Sequence, residues 1–170
     1  MKLADHSVRI EPLGPLHDRA AFQCGNESLD RYFRQQATQD LRRGVARVFV
    51  AIVPQETERI AGFFTLSATS VAASDLPPEV AKRLPRHPIP AALIGRLAVD
   101  RSFARRGLGS ILLADAVKKA LAAAQTVAIT VIVVDPIDDA AHTFYAAFGF
   151  RDLQSSQRRM FLVLPRSAGA

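Results

Sequence analysis

The chain has 170 residues, of which 49% are hydrophobic and 22% charged, and it contains one cysteine. This length suits a single domain over residues 1–170, and the apolar content argues against disorder. A lone cysteine forms neither an internal disulfide nor a zinc site. The net charge of +6 favours anionic partners. With no apolar run near ~20 residues and no signal-peptide core, we expect a cytoplasmic protein without a membrane span.

The first elements in chain order are a strand and a helix. Val8–Leu13 alternates in polarity, which is typical of a short strand. Asn26 and Ser28 are candidate N-caps of a helix that Gly44 ends. The apolar residues of this helix recur at helical spacing; they are Leu29, Tyr32, Phe33, Ala37 and Leu41.

The middle of the chain predicts three strands. Two β-rich runs, 45–53 and 60–71, flank a polar turn and therefore predict a hairpin. The five prolines of Asp75–Pro90 indicate a loop with at most a short helix. Ala91–Val99 is an apolar strand interrupted by Arg96.

The last third predicts two helices and two strands. A helix over 108–124 is apolar around most of its circumference and is expected to be buried on more than one side. The run 127–134 is typical of a buried strand, and 160–164 of a final strand. Asp138 opens a helix whose apolar stripe and terminal glycine are Ile137, Ala141, Phe144, Tyr145, Phe148 and Gly149. The element order predicts an α/β domain on a mixed sheet.

A glycine-containing turn precedes the long helix. Gly107 and Gly109 let a ligand approach the backbone closely, and the free N–H groups of the first helical turn bind anions. Arg105 and Arg106 add positive charge there. The turn lacks the Gly-Lys-Ser/Thr of a P-loop and the third glycine of the dinucleotide fingerprint. The alternative is a tight turn whose glycines serve packing.

Together with 97–100 (Leu-Ala-Val-Asp) and 144–150 (Phe-Tyr-Ala-Ala-Phe-Gly-Phe), this turn resembles the GNAT family of N-acetyltransferases over most of the chain. The resemblance implies the GNAT fold, a mixed twisted sheet flanked by helices with splayed central strands. It implies acetyl-CoA as co-substrate and no metal. The cofactor-binding residues would be Leu97, Ala98, Val99, Arg105, Arg106, Gly107, Leu108, Gly109, Ser110 and Phe144.

The chain departs from the family pattern at two positions. Ala104 stands where the family usually has Gln or Arg, so Arg105 or Arg106 would substitute as the phosphate contact. Asp138 stands where many members carry an Asn that touches the cofactor.

A closer resemblance is to the GNAT toxins of type II toxin–antitoxin systems. It is carried by segments 47–50, 61–66, 88–90, 96–100 and 157–162. It implies acetylation of the amino acid on charged tRNA, which blocks translation. It also implies a small ribbon–helix–helix antitoxin and a homodimer. The residues expected to contact tRNA are Arg47, Arg96, Arg158 and Arg159. Arg96 could instead form an ion pair with Asp100 or Asp135.

Tyr145 is the candidate catalytic acid. Acetyl transfer needs donors for the carbonyl oxygen as it becomes an oxyanion, and the departing thiolate benefits from a proton. A main-chain N–H near Val99 would serve the oxyanion, and Tyr145 would protonate the thiolate. The alternative for Tyr145 is a core aromatic on its apolar stripe, whereas Tyr32 is expected to be packing.

No carboxylate base is visible on the strand before the turn, where the first acid is Asp100. A lysine amine, with a pKa of about 10.4, would need such a base, whereas an α-amine titrates near pH ~8. The absence therefore favours an α-amine on an ester, as in aminoacyl-tRNA, although water or His87 could act as the base. The competing hypotheses are a generic acetyltransferase for small or protein amines and a non-catalytic nucleic-acid-binding module.

Overall fold

The structure is a computed structural model that describes residues 1–154 and 158–166. The strands are β1 (Arg9–Pro12), β2 (Arg47–Val53), β3 (Thr57–Val71), β4 (Ile89–Val99), β5 (Val131–Val134), β6 (Arg151–Asp152) and β7 (Met160–Val163). The helices are α1 (Glu27–Gln35), α2 (Ala37–Arg43), α3 (Pro78–Ala81), α4 (Leu108–Ala123) and α5 (Asp139–Phe148). No helix of these described ranges is long and apolar enough to span a membrane.

The strands form a mixed sheet in the order β1-β2-β3-β4-β5-β7-β6. β4 and β5 are parallel, whereas β1–β2, β2–β3, β5–β7 and β6–β7 are antiparallel. The β2–β3 hairpin is confirmed, and so is the α/β class. The parallel ladder ends at the pair Ile94–Val134, while β4 continues to Val99.

The chain divides into two compact units. Unit 1 comprises Met1–Ser67 and Gly95–Val117, and unit 2 comprises Ala68–Ile94 and the residues from Lys118 onward. Strands β3 and β4 and helix α4 contribute residues to both units.

The core of unit 1 is built on phenylalanine. Phe33 stacks on Phe63 at 4.2 Å between ring centroids, and Phe22 meets both rings edge-on. All three rings are fully buried, which supplies the apolar area on which α1 packs. The Asn26 side chain caps α1 by accepting from the Leu29 N–H, as predicted.

The core of unit 2 is aliphatic and surrounds the short strand β5. Val131 and Val133 are fully buried with Val71, Ile89 and Phe161. Asp138 caps α5 through the Ala141 N–H at 2.8 Å, and Gly149 ends the helix in the left-handed region. Both ends of α5 therefore follow the sequence prediction.

Two predicted elements are wrong in extent. The single helix up to Gly44 is two helices, because the φ angle of Gln36, −120°, is far from the ideal helical value of about −63° and interrupts the helix between α1 and α2. The predicted strand 127–134 begins only at Val131, the first of its residues that is paired in the sheet, with Ala91 of β4 and Val163 of β7. Val127 is 64% exposed, because β-branched residues form a strand only where a neighbour pairs with them.

The predicted apolar stripe of α5 is buried at one position. Tyr145 is buried, whereas Ile137 before the helix and Phe148 at its end are exposed. Helix α4 has one fully buried face, formed by Leu108, Leu112, Leu113, Ala116 and Ala120, and is half-buried over much of the rest.

Candidate functional site

The C-terminal end of β4 offers backbone donors on one edge. The Arg96 N–H donates to Thr65 Oγ1 at 3.0 Å, and the Asp100 N–H donates to a β3 carbonyl at 2.8 Å. Successive N–H groups of a strand point to opposite edges. The N–H groups of Leu97 and Val99 therefore point away from β3, as a ligand lying along this strand would require.

A glycine on β3 lets this strand end and helix α4 approach closely. A Cβ at Gly62 would lie 2.8 Å from Leu112 Cδ1 and 2.9 Å from the Ala98 carbonyl oxygen. Real Cβ atoms do not come so near to other heavy atoms, so only glycine fits here. The contact fixes the start of α4 relative to β4.

In the turn between them Gly107 has the unusual backbone conformation that the sequence predicts, whereas Gly109 lies within α4. Arg105 and Gly107 have positive φ angles of 64° and 81°, and a Cβ at Gly107 would have nothing within 4 Å. Ile111 N–H donates to the Gly107 carbonyl oxygen at 3.2 Å and begins the helical ladder. The N–H groups of residues 108–110 precede that ladder and are left for a ligand. Open space, free donors and the helix dipole are together the features that an anion site requires.

Tyr145 lies on α5 in unit 2 with its ring buried. Phe144 and Phe150 meet it edge-on at 5.2 Å and 5.5 Å between centroids. Burial, and then the negative charge of Asp135, raise the pKa of Tyr145 to about 12. Its hydroxyl bonds none of the described residues and is not among their fully buried unpaired atoms. Tyr145 therefore keeps its proton at neutral pH and can donate it.

The two arginines of unit 2 that are predicted to contact tRNA differ in their ion pairs. Arg158 has a positive φ of 70°, its side chain is 59% exposed, and its nearest carboxylate oxygen, on Asp139, is 4.0 Å away. Arg159 forms a two-point ion pair with Asp135 at 2.7 Å and 2.8 Å, which raises the pKa of Arg159. The preceding Gln157, part of the same sequence motif, lies outside the described residues. Arg158 is therefore the freer cation of the two.

The two arginines of unit 1 that are predicted to contact tRNA differ in their exposure. Arg47 begins β2 and is exposed. Arg96 is half-buried, and its guanidinium lies over the ring of Tyr32, 3.5 Å from the centroid. The ion pair between Arg96 and Asp100, one alternative to an RNA contact, is absent, and both Asp100 oxygens accept hydrogen bonds from Gln23 and Ser102 instead.

Residues 15–150 match the acetyltransferase (GNAT) family. The chain belongs to this family. A relative in Mycobacterium tuberculosis, described as a tRNA-acetylating toxin, is 36% identical over 147 residues, which are 86% of each chain.

Solved structures show that the likeness extends to the fold. AtaT complexed with acetyl-methionyl-tRNAfMet has a TM-score of 0.85 and 27% identity, over 92% of this chain and 94% of that one. AtaTR bound with AcCoA has a TM-score of 0.80 and 26% identity, over 93% and 94%. The predicted GNAT fold is therefore confirmed.

Within this GNAT domain the two arginines of the turn have different surroundings. Arg106 Nη2 and Nη1 donate to the two carboxylate oxygens of Glu56 at 2.6 Å and 2.8 Å, and Arg106 Nε donates to the Met1 carbonyl oxygen at 3.1 Å. The Leu3 N–H donates to the Arg106 carbonyl oxygen at 2.8 Å. Arg106 thus anchors the turn to the β2–β3 connection, whereas Arg105 is exposed. No local sequence signal links Glu56 to the turn.

The acidic residue at the end of β4 is structural in this GNAT domain. Burial opposes ionisation of Asp100, but the hydrogen bonds from the Gln23 N–H and from Ser102 outweigh it and lower its pKa. A carboxylate whose oxygens are so occupied is a poor proton acceptor. Asp100 therefore does not supply the missing base.

The single cysteine, Cys24, and the side chains that could bind a metal are the remaining candidates for a nucleophile and a metal site. Cys24 is half-buried, and burial raises the pKa of its thiol to about 11, so the reactive thiolate is scarce at neutral pH. In residues 1–154 and 158–166, no group of three His, Cys, Asp or Glu side chains is arranged to hold a metal ion.

Proposed function

We propose that this GNAT protein transfers the acetyl group of acetyl-CoA to the α-amine of an amino acid on charged tRNA, and thereby blocks translation as a type II toxin. The observation that carries the proposal is the 36% identity, over 86% of the chain, to a tRNA-acetylating toxin. The likeness to AtaT complexed with acetyl-methionyl-tRNAfMet supports the same substrate.

Acetyl-CoA supplies the activated acetyl thioester. The end of β4 fits its amide-bearing pantetheine arm, and the following turn fits its anionic pyrophosphate. The outward N–H groups of Leu97 and Val99 would bind the pantetheine arm. Residues 105–110 would hold the pyrophosphate, with the side chain of Arg105 as the cation. Arg106, which was also predicted to contact phosphate, is paired with Glu56 and would chiefly support the turn. Phe144 would lie against the cofactor near the thioester.

Acetyl transfer proceeds by attack of the neutral amine on the thioester carbonyl, with formation of an amide and departure of the CoA thiolate. Of the outward N–H groups near Val99, the one that lies at the thioester end of the pantetheine arm would stabilise the oxyanion that develops. Tyr145, which is protonated at neutral pH, would give its proton to the sulfur as the C–S bond breaks and would then regain a proton from solvent. The amine loses its own proton to solvent.

The lack of a base on β4 supports an aminoacyl ester as acceptor. Asp100 is engaged in hydrogen bonds, so it does not activate an amine. An α-amine on an ester titrates low enough to be largely neutral at pH 7–8, whereas a lysine amine does not.

RNA binding is assigned chiefly to the exposed arginines. Arg47 and Arg158 would contact phosphates, which positions an RNA without reading its sequence. Arg96 would act with its guanidinium fixed on Tyr32. Arg159 was predicted as a further contact, and its ion pair with Asp135 makes it the weakest of the four.

The assembly and location remain part of the proposal. We infer that the whole chain acts as one acetyltransferase domain, as a homodimer in the cytoplasm, where charged tRNA is found. A small ribbon–helix–helix protein encoded beside it would neutralise it.

The deciding experiment incubates the purified protein with acetyl-CoA and total charged tRNA and identifies acetylated aminoacyl adducts by mass spectrometry. We expect adducts with the parent protein and a loss of about 10²–10⁴-fold with Tyr145→Phe, which keeps the ring and removes the donated proton. Unchanged acetyl-CoA binding by that variant is the control. Efficient acetylation of free amines without acetylation of charged tRNA would leave a generic acetyltransferase.

A further inference from the structure

Arg96 belongs to a three-residue arrangement that joins three elements of unit 1. Its guanidinium lies 3.5 Å from the centroid of the Tyr32 ring, and the Tyr32 hydroxyl donates to Asp40 Oδ2 at 2.9 Å. Tyr32 is on α1, Asp40 on α2 and Arg96 on β4. The Tyr32 ring is only 5% exposed, so this aromatic platform is fixed by the core.

The charges in this arrangement strengthen the contact on Arg96. Burial, and then the hydrogen bond to Asp40, raise the pKa of Tyr32 to about 12, so the phenol stays neutral and donates its proton to the carboxylate. A ring whose hydroxyl donates to an anion is richer in electrons, and a cation over its face is held more tightly. Asp40 thus acts on Arg96 through the ring.

The geometry leaves part of Arg96 available. The ring covers one face of the guanidinium, and the Arg96 backbone N–H is fixed by Thr65 Oγ1. Arg96 forms no ion pair with any of the described residues, and the nearby Asp100 is engaged elsewhere. Because a planar guanidinium stacks through its face and binds oxyanions through its edge, the edge donors remain for a ligand.

The position of Arg96 indicates which ligand this is. It immediately precedes Leu97–Val99 on β4, whose N–H groups are assigned to acetyl-CoA. A group bound by Arg96 would therefore lie beside the reacting end of the acceptor. In an aminoacyl-tRNA the nearest anion to the amine is a phosphodiester of the 3′ end.

We propose that Tyr32 and Asp40 are positioning residues that hold the Arg96 guanidinium edge-on to a phosphodiester of the acceptor RNA. The inference rests on the proposed function and deepens it, since it assigns acceptor selection to residues that touch neither acetyl-CoA nor the reacting atoms. A stacked, pre-oriented arginine loses less freedom on binding than a mobile surface arginine does.

The test compares Tyr32→Leu, Tyr32→Phe, Asp40→Asn and Arg96→Lys with Gln39→Ala, an exposed residue of the same helix as Asp40. For each variant, kcat and KM are measured for charged tRNA and for acetyl-CoA, with the melting temperature as the check on folding. We expect Tyr32→Leu and Arg96→Lys to raise the KM for charged tRNA about 3- to 30-fold, the range of a cation–π contact.

The same variants should leave kcat and the KM for acetyl-CoA within about twofold. Tyr32→Phe and Asp40→Asn keep the ring and should have smaller effects in the same direction, and Gln39→Ala should have none. Loss of one phosphate contact should also reduce the slope of log KM for tRNA against log salt by about 0.7–0.9 in Tyr32→Leu. A purely structural tyrosine would not change this slope.

Three outcomes would overturn the inference. One is an unchanged KM for tRNA and an unchanged salt slope in folded Tyr32→Leu. Another is an equal loss for both substrates, which would make the stack a packing device. If Tyr32→Leu does not fold, normal tRNA kinetics in Asp40→Asn and Arg96→Lys would decide against it. Failure of the parent protein to acetylate any charged tRNA would instead contradict the proposed function itself.

Discussion

The turn at residues 105–110 and the arginines at positions 158 and 159 are both predicted anion contacts, but they differ in what fixes their donors. The turn would bind through backbone N–H groups, whose direction is set by Gly107 and by the start of α4. The arginines would act through their side chains, of which Asp135 engages Arg159 while Arg158 stays exposed. A site made of backbone is fixed locally, whereas the role of a charged side chain depends on which residues the fold brings to it.

Substitution of the turn glycine should have the largest effect. Gly107→Glu would place bulk and negative charge in the open space where the pyrophosphate is proposed to lie, and we expect at least a ~100-fold loss of acetyl-CoA affinity by calorimetry. Gly44→Glu is the matched control, because Gly44 also has a positive φ (71°) and open space around it. Both variants should lose about 1–3 kcal/mol of stability from backbone strain, but only Gly107→Glu should lose the cofactor. Unchanged affinity in folded Gly107→Glu would remove the assignment.

The next largest effect is expected from substitutions of Arg158 and Arg159, which should change different properties of the protein. We expect Arg158→Glu to lower kcat/KM for charged tRNA about tenfold and to leave acetyl-CoA binding unchanged, because it reverses an exposed charge. Arg159→Gln should leave the salt dependence of the tRNA reaction unchanged and lower the melting temperature, by about 2–4 °C for each kcal/mol that the Asp135 pair contributes. Equal effects of Arg158→Gln and Arg159→Gln on the salt slope would contradict the distinction between them.

The two arginines of the turn provide a smaller comparison within one segment. Arg105→Gln should weaken acetyl-CoA binding several-fold, in line with loss of one charge-assisted contact, with little change in melting temperature. Arg106→Gln should mainly lower the melting temperature, because it releases Glu56 and the Met1 carbonyl oxygen. Calorimetry and thermal denaturation of the two variants, side by side, would reveal a reversed order if Arg106 is the phosphate contact.

The smallest effect is expected in the pH dependence of the acetyl-transfer rate. Because the pKa of Tyr145 is raised to about 12, the acid stays protonated as pH rises, and the single-turnover rate should climb through the pKa of the acceptor amine and then level off. No falling limb is expected up to about pH 9.5. A descending limb below pH 9, present in the parent and absent in Tyr145→Phe, would mean that Tyr145 ionises in that range.

Much of the site could be predicted because its signals are local. Asn26 and Asp138 cap the helices that follow them, Gly44 and Gly149 end theirs, and the glycines of the turn mark the start of α4. Each of these effects acts within about one helical turn of the residue that causes it. The resemblance to GNAT acetyltransferases depends on the same short segments.

Other features depended on residues far apart in the chain. The helix break at Gln36 is invisible to periodicity, because the apolar spacing continues through it. The start of β5 is set by where β4 and β7 can pair with it.

The contacts of the arginine side chains were likewise decided by tertiary structure. Glu56 on the β2–β3 connection holds Arg106, and Tyr32 on α1 supports Arg96. The sequence by itself determined that arginines and a glycine-containing turn at a helix N-terminus occur together in this protein. Only the tertiary structure decided which charges remain free, because the partner that neutralises a side chain is chosen by packing rather than by nearness in the chain.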